Sequence, residues 1–171
     1  MKKNLVLFLI VLSTSFVNAQ KYGFINSEYI LSKMPEYKEA KDRLDKMADR
    51  WTKEVEERNK VLNQKKELFI KEEVLLPNEE KEKRQDEIQK LENEIIELQQ
   101  SRFGVSGEYF QKRQELVKPI QDKVYDAMQK IATKRSYTFV FDKSNQSNLV
   151  FADKKYDLSD EIIKELGIKT K

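Results

Sequence analysis

Catalysis needs groups that ionise near neutral pH, attack a substrate or hold a metal, and this 171-residue chain has a narrow supply of them. It contains no His and no Cys. Thiol and imidazole chemistry are therefore excluded, together with the usual zinc, copper and haem ligand sets. With only four Gly there is no phosphate-cradling loop, and no D-x-[DN]-x-[DN]-G calcium loop occurs. Carboxylates remain, among them the neighbours Glu72-Glu73 and Glu79-Glu80. Acid–base work needs a pocket that tunes such groups, and the charged sequence around them offers none. No cofactor or metal is expected, and the chain reads as a non-enzyme.

What can act without covalent chemistry is apolar surface. Leu68-Phe69-Ile70 and Val74-Leu75-Leu76 lead into Pro77-Asn78, the one turn signal in the central region. Six apolar residues at a two-helix turn are more than one contact layer buries. They read either as local packing or as surface offered to a partner. Trp51, Val55, Leu62, Ile88 and Ile95 carry the same pair of readings, packing between helices or contact with a partner. Phe103 joins them as a contact candidate beside Trp51.

Those residues need elements to position them. From Glu36 to about Leu76 there is neither Gly nor Pro. Tyr37, Ala40, Leu44, Met47 and Trp51 recur at coiled-coil steps. Beyond Trp51 the stripe thins to Val55, Leu62, Phe69 and Leu76, with Arg58, Lys65 and Glu72 between them and Val61, Leu68 and Leu75 alongside. A second run from Glu79 to about Val117 carries Ile88, Leu91, Ile95 and Leu98, then Phe103, Phe110 and Val117. Two striped helices joined by a tight turn fold back antiparallel. A turn near Pro77 places Trp51 near Phe103 and Gly104, Leu44 near Phe110, and Leu62 near Leu91 and Ile95. Gly104 and Gly107 each cost a helix about 1 kcal/mol. They mark a hinge or make room for Trp51. Pro119 is expected to kink or break the chain, ahead of a drier stretch through Ile120, Val124, Met128 and Ile131.

The ends change character. Lys2 and Lys3, the apolar run Leu5–Leu12 and Val17-Asn18-Ala19 have the layout of a secretory signal peptide cut near Ala19. Removing Lys2 and Lys3 takes the formal charge from +3 to +1. A near-neutral chain has no strong case for nucleic acid. With 37% charged residues the middle of the chain suits an elongated, solvated helical structure. Tyr22–Asn26, Tyr137–Phe141 and Leu149–Ala152 read as strands. Asn26 or Ser27 is placed to cap a short helix over Glu28–Lys33. Asp142–Asn148 reads as a polar turn, and Asp157-Leu158-Ser159 starts a last helix ended by Gly167.

The fold class is thus α+β, mostly α: a long antiparallel coiled-coil-like hairpin projecting from a small β-stranded body. Residues 1–19 read as leader, 36–117 as the hairpin arm, and 20–35 with 118–171 as the body. Three short strands and two short helices bury little surface alone, and open sheet edges invite pairing. Phe24, Ile25, Phe139, Val140, Phe141, Val150 and Phe151 are the candidate residues for self-assembly through a shared core. Arms on such a core enclose space that can hold a large partner.

The layout resembles the Skp/OmpH family of periplasmic chaperones over the whole mature chain. Gly23–Leu31 looks like the family's first strand and short helix. Leu116-Val117-Lys118-Pro119-Ile120, with Val124 and Ile131, resembles its return stretch. Tyr137–Asp142 is similar to its second strand, and Asp157-Leu158-Ser159 before Ile162-Ile163 to its last helix start. The resemblance implies a homotrimer located in the periplasm. It implies binding of unfolded outer-membrane β-barrel proteins without ATP, which keeps them soluble for delivery. Trp51, Leu62, Leu68, Phe69, Ile70, Leu75, Leu76, Ile88, Ile95 and Phe103 are then the candidate client-binding residues. A peripheral membrane contact is a further expectation. However, Lys65–Arg84 balances six Lys/Arg against six Glu, which favours apolar client contacts over a basic-tip contact. The other reading of the same arms is a structural spacer or tether in the cell envelope without clients.

Overall fold

A computed structural model of the chain describes residues 20–144 and 149–169. It divides into two compact units: Met34–Lys123, and the residues up to Lys33 with Val124–Lys171. The fold is mostly helical with a small strand pair.

The hairpin unit begins where Pro35 opens a helix. The residue before a proline is driven to extended backbone, and Met34 (φ −88°, ψ 116°) caps without a side-chain bond. After a short helix α1 (Ser27–Ser32) in the other unit, helix α2 runs Pro35–Glu72. Its buried residues are Ala40, Leu44, Trp51, Val55 and Leu62. That is a narrow stripe of the kind that packs two helices along one line. A short 3₁₀ turn, Glu73–Leu75, and extended Leu76 before Pro77 reverse the chain. The Pro77 carbonyl accepts from Glu80 and Lys81 and starts α3, Asn78–Phe103. Glu79 and Glu80 in its first turn oppose the helix dipole favourably.

Between the helices, Val55, Leu62 and Ile95 form a buried cluster, with Ile88, Leu91 and Leu98 packed against it. Nearer the turn, ion pairs take over from apolar contacts. Lys65 meets Glu87 at 3.1 Å, Arg84 meets Glu72 at 2.6 Å, and Lys66 meets Glu92. Such solvent-exposed pairs are screened by water and contribute little to stability, so this end is the weaker one.

The second arm is not one helix to Val117. It stops at Phe103, and α4, Glu108–Lys134, begins after a four-residue break. Gly104 takes an extended conformation, φ −63° and ψ 171°. The glycines make room for the chain's own backbone rather than for Trp51. A Cβ on Gly104 would stand 2.4 Å from the Gln100 carbonyl oxygen, and one on Gly107 would stand 2.9 Å from Ser101 O. Arg102 ties the break to α2, lying 5.2 Å over the Trp51 ring and pairing with Glu54 and Glu108. Trp51 meets Phe103 edge-on at 6.0 Å as expected. Leu44 is buried, while Phe110 keeps an exposed face. Beyond the break Lys123 reaches Glu36 at 2.9 Å.

Pro119, expected to end or kink a helix, lies inside α4. The helix survives because its stripe is dry: Val117, Ile120, Val124, Ala127 and Ile131 are all buried. A helical proline costs about 3 kcal/mol. Each buried aliphatic side chain contributes about 1.5–3 kcal/mol, so the neighbours Val117 and Ile120 together outweigh it.

In the other unit β1, Tyr22–Ile25, pairs in parallel with β2, Phe139–Asp142, with Tyr22 opposite Phe139 and Phe24 opposite Phe141. The far edge of β1 is covered by a bridge between Phe24 and Asp157, with Leu158 N donating to Phe24 O at 2.9 Å. Asn26, not Ser27, caps α1 (Ser27–Ser32), accepting from Tyr29 N at 3.0 Å. Helix α5, Ser159–Glu165, packs against α1. Ile30, Ile162 and Ile163 are fully buried. Ser159 Oγ accepts from Asn26 N at 2.8 Å and donates to Asp157 at 2.5 Å, which satisfies a buried hydroxyl. Gly167 (φ 73°) closes α5, with Ile168 N on Ile163 O and Gly167 N on Lys164 O, the paired bonds of a Schellman end.

Leu149–Ala152 is not a strand. Val150 and Phe151 stand 94% and 83% exposed. A strand needs a neighbouring edge to hydrogen-bond, and among the described residues none pairs with this segment. The expected polar turn is present at Lys143-Ser144, and its remainder, residues 145–148, lies outside the described residues.

Candidate functional site

The candidate client-contact residues separate into two groups within the hairpin unit. Trp51, Leu62 and Ile95 are buried between the helices. Their apolar surface is spent on holding the hairpin together. Phe103 packs on Trp51 and, at 6.4 Å, on Tyr109, yet keeps an exposed edge.

The turn end is different. Leu68 and Ile70 are exposed, and Val74 and Leu75 are 87% and 84% exposed, while Phe69 and Leu76 are half-buried. The tight 3₁₀ turn leaves no facing layer for residues 74 and 75. Phe69, Ile70 and Ile88 are brought together with Lys66 along a shallow cleft of about 390 Å³. The three apolar residues share this lining across the two helices, which sequence spacing alone did not reveal.

The charges around them are mutually balanced. Lys65 beside Glu87 holds that carboxyl below its usual range, and Glu72 with Glu80 raises the Arg84 guanidinium. The surface is therefore apolar patches framed by neutralised pairs rather than a field of one sign. Among the described residues no group of His, Cys, Asp and Glu is placed to hold a metal, and no helix is long and apolar enough to cross a membrane.

Two exposed apolar residues escaped the periodicity argument. Val105, 93% exposed, stands between the two glycines of the break, and Ile96 lies one step off the stripe beside Ile95. Val105 falls off the apolar steps of the second run, so spacing gave it no role.

The candidate assembly residues also divide. Phe24 and Ile25 are buried within the single chain. Phe139 and Phe141 are exposed, Val140 is half-buried, and Val150 and Phe151 are open to solvent. Tyr22, Phe139 and Phe141 stack in a row on one sheet face, at 5.5 Å and 6.5 Å between ring centres. Among the described residues β2 pairs only with β1, so its outer edge is open. Beside the row, Tyr22, Phe141, Leu149 and Tyr156 help line a cleft of about 590 Å³.

A model of the outer membrane protein (OmpH-like) family matches residues 21–166. The chain belongs to the OmpH-like family. That family is not one of enzymes. The crystal structure of a protein from Caulobacter crescentus, assigned as an OmpH-like outer membrane chaperone, has the same fold as this OmpH-like chain. The TM-score is 0.63 at 14% identity, over 89% of this chain and 88% of the other. No curated protein matches the sequence.

Proposed function

We propose that this protein is an ATP-independent holding chaperone of the periplasm, exported by a leader cut near Ala19, that keeps unfolded outer-membrane proteins soluble. The observation that carries the reading is the uncovered apolar surface at the turn end of the hairpin, Leu68, Ile70, Val74 and Leu75. Exposed apolar groups of this number have a cost in water that a partner relieves. Membership of the OmpH-like family supports a chaperone role. Self-association as a homotrimer is supported by the open outer edge of β2 and the exposed row Tyr22, Phe139 and Phe141. Exposed aromatics beside a bare strand edge favour a second copy of the same strand.

The test replaces Phe69, Ile70, Leu75 and Leu76 together by Ser. Suppression of aggregation of a diluted, unfolded β-barrel protein should weaken, because each lost apolar contact is worth at most about 1.5–3 kcal/mol. The oligomeric state should not change. A spacer or tether without clients has nothing to lose in this assay. Equal protection by parent and variant would overturn the assignment of the turn end as client surface.

A further inference from the structure

The hairpin unit carries a second concave surface that the reading above does not use. It is an open cleft of about 690 Å³ between α2 and α4. Arg43, Lys46, Arg50 and Lys53 line it from α2, at steps of three and four that keep them on one helix face. They span about 15 Å by helix rise. Met47 and Leu116 supply apolar surface, and Lys112 faces from α4.

The charge here is not balanced as it is near the turn. Lys112 is taken up by Glu115 at 2.6 Å. Among the described residues none of Arg43, Lys46, Arg50 and Lys53 makes an ion pair. Asp49 is the one carboxylate of α2 on the lining. Four cations so spaced along a concave surface sum to a local positive potential, which draws an anion that follows the groove. The concavity suits a chain rather than a flat surface. An extended peptide rises about 3.3 Å per residue, so about five residues cover the row. Met47 adds a flexible side chain that accepts varied apolar partners.

We infer that this cleft binds short, extended client segments that combine Asp or Glu with apolar residues. The inference rests on the holding function proposed above. It gives that function a preference: acidic stretches are held at the cleft, and uncharged apolar stretches at the turn end.

The experiment uses the full chain and fluorescein-labelled octapeptides read by anisotropy. One peptide alternates Glu with Leu and Phe, one replaces Glu by Lys, and one replaces Glu by Ser. The parent should bind the acidic peptide at least tenfold more tightly than the Lys peptide, and less tightly as salt is raised. The variant R43Q/K46Q/R50Q/K53Q keeps good helix formers and should lose at least tenfold in acidic-peptide affinity while binding the Ser peptide as before. A control variant, K60Q/K81Q/K83Q/K90Q, removes the same charge elsewhere and should bind like the parent. Matching helicity by circular dichroism qualifies each variant. Equal loss in both variants would show a net-charge effect and overturn the site. So would equal binding of acidic and Lys peptides. Binding of anionic phosphatidylglycerol vesicles that depends on the four cations, without acidic-peptide binding, would overturn the peptide in favour of a lipid. Failure of the Ser peptide to bind the parent strikes the holding function itself and not the cleft alone.

Discussion

Ile95→Ala tests whether the outer hairpin rests on one buried cluster. Ile95 is 4% exposed and packs with Val55 and Leu62, ringed by Ile88, Leu91 and Leu98. Truncating a buried Ile to Ala costs about 2–5 kcal/mol, the sum of lost transfer energy and a residual cavity. The low end applies here, about 2–3 kcal/mol, because the half-buried ring can partly collapse into the space. The ion pairs beyond the cluster are exposed and solvent-screened, and cannot offset that. Local opening of the turn half should become about 30–140-fold more frequent, since each 1.4 kcal/mol is a factor of ten. The assay is native-state amide hydrogen exchange. Protection should fall by that factor around residues 55–62 and 88–98. In the strand unit, where Ile30, Ile162 and Ile163 form a separate fully buried set, it should change less than threefold. An equal loss in both units, or no loss around Ile95, would refute the claim that the cluster is a local support.

Three further outcomes follow from the strand unit. Val140→Asp places a charge in the centre of β2, at the proposed shared core, where an unpaired charge is costly; sedimentation equilibrium should show trimer for the parent and monomer for the variant, and a parent monomer at micromolar concentration contradicts the assembly. Burial alone would raise the Asp142 carboxyl, but hydrogen bonds from Ser27 and Ser144 outweigh it and hold it below its usual value. Its contribution is thus present above the unfolded value of about 3.9 and is lost as pH falls through the lower folded value. Asp142→Asn should lower urea stability at pH 7, with the gap to the parent closing in acid, and a gap independent of pH speaks against the assignment. Ser136 sits at φ 55° where α4 ends, with Tyr137 N on Ala132 O. A left-handed conformation costs a residue with a Cβ about 1–2 kcal/mol, so Ser136→Gly should raise the melting temperature by a few degrees, and a fall is the contrary result.

The order of elements was legible in the sequence wherever one chain supplies both sides of a contact. The step pattern from Tyr37 to Trp51, the lone turn at Pro77, and the meeting of Trp51 with Phe103 are local arithmetic on a helix of fixed rise, and the structure contains them. The thinning stripe beyond Trp51 was visible too, as Lys65 and Glu72 in seam positions now form ion pairs with Glu87 and Arg84. Of the candidate site, exposure of the turn residues Val74 and Leu75 follows from having six apolar residues and one contact layer. Sequence alone could not rank Pro119 against Gly104. Proline has the larger intrinsic cost, yet Pro119 stays helical because its neighbours are buried, and the chain breaks where Gly104 and Gly107 let the backbone close on Gln100 and Ser101. That choice depends on summed packing along α4, which no local propensity contains. The same limit explains Leu149–Ala152. Alternation of residue types marks a segment able to be a strand, but a strand exists only beside another edge, and that edge is a tertiary fact.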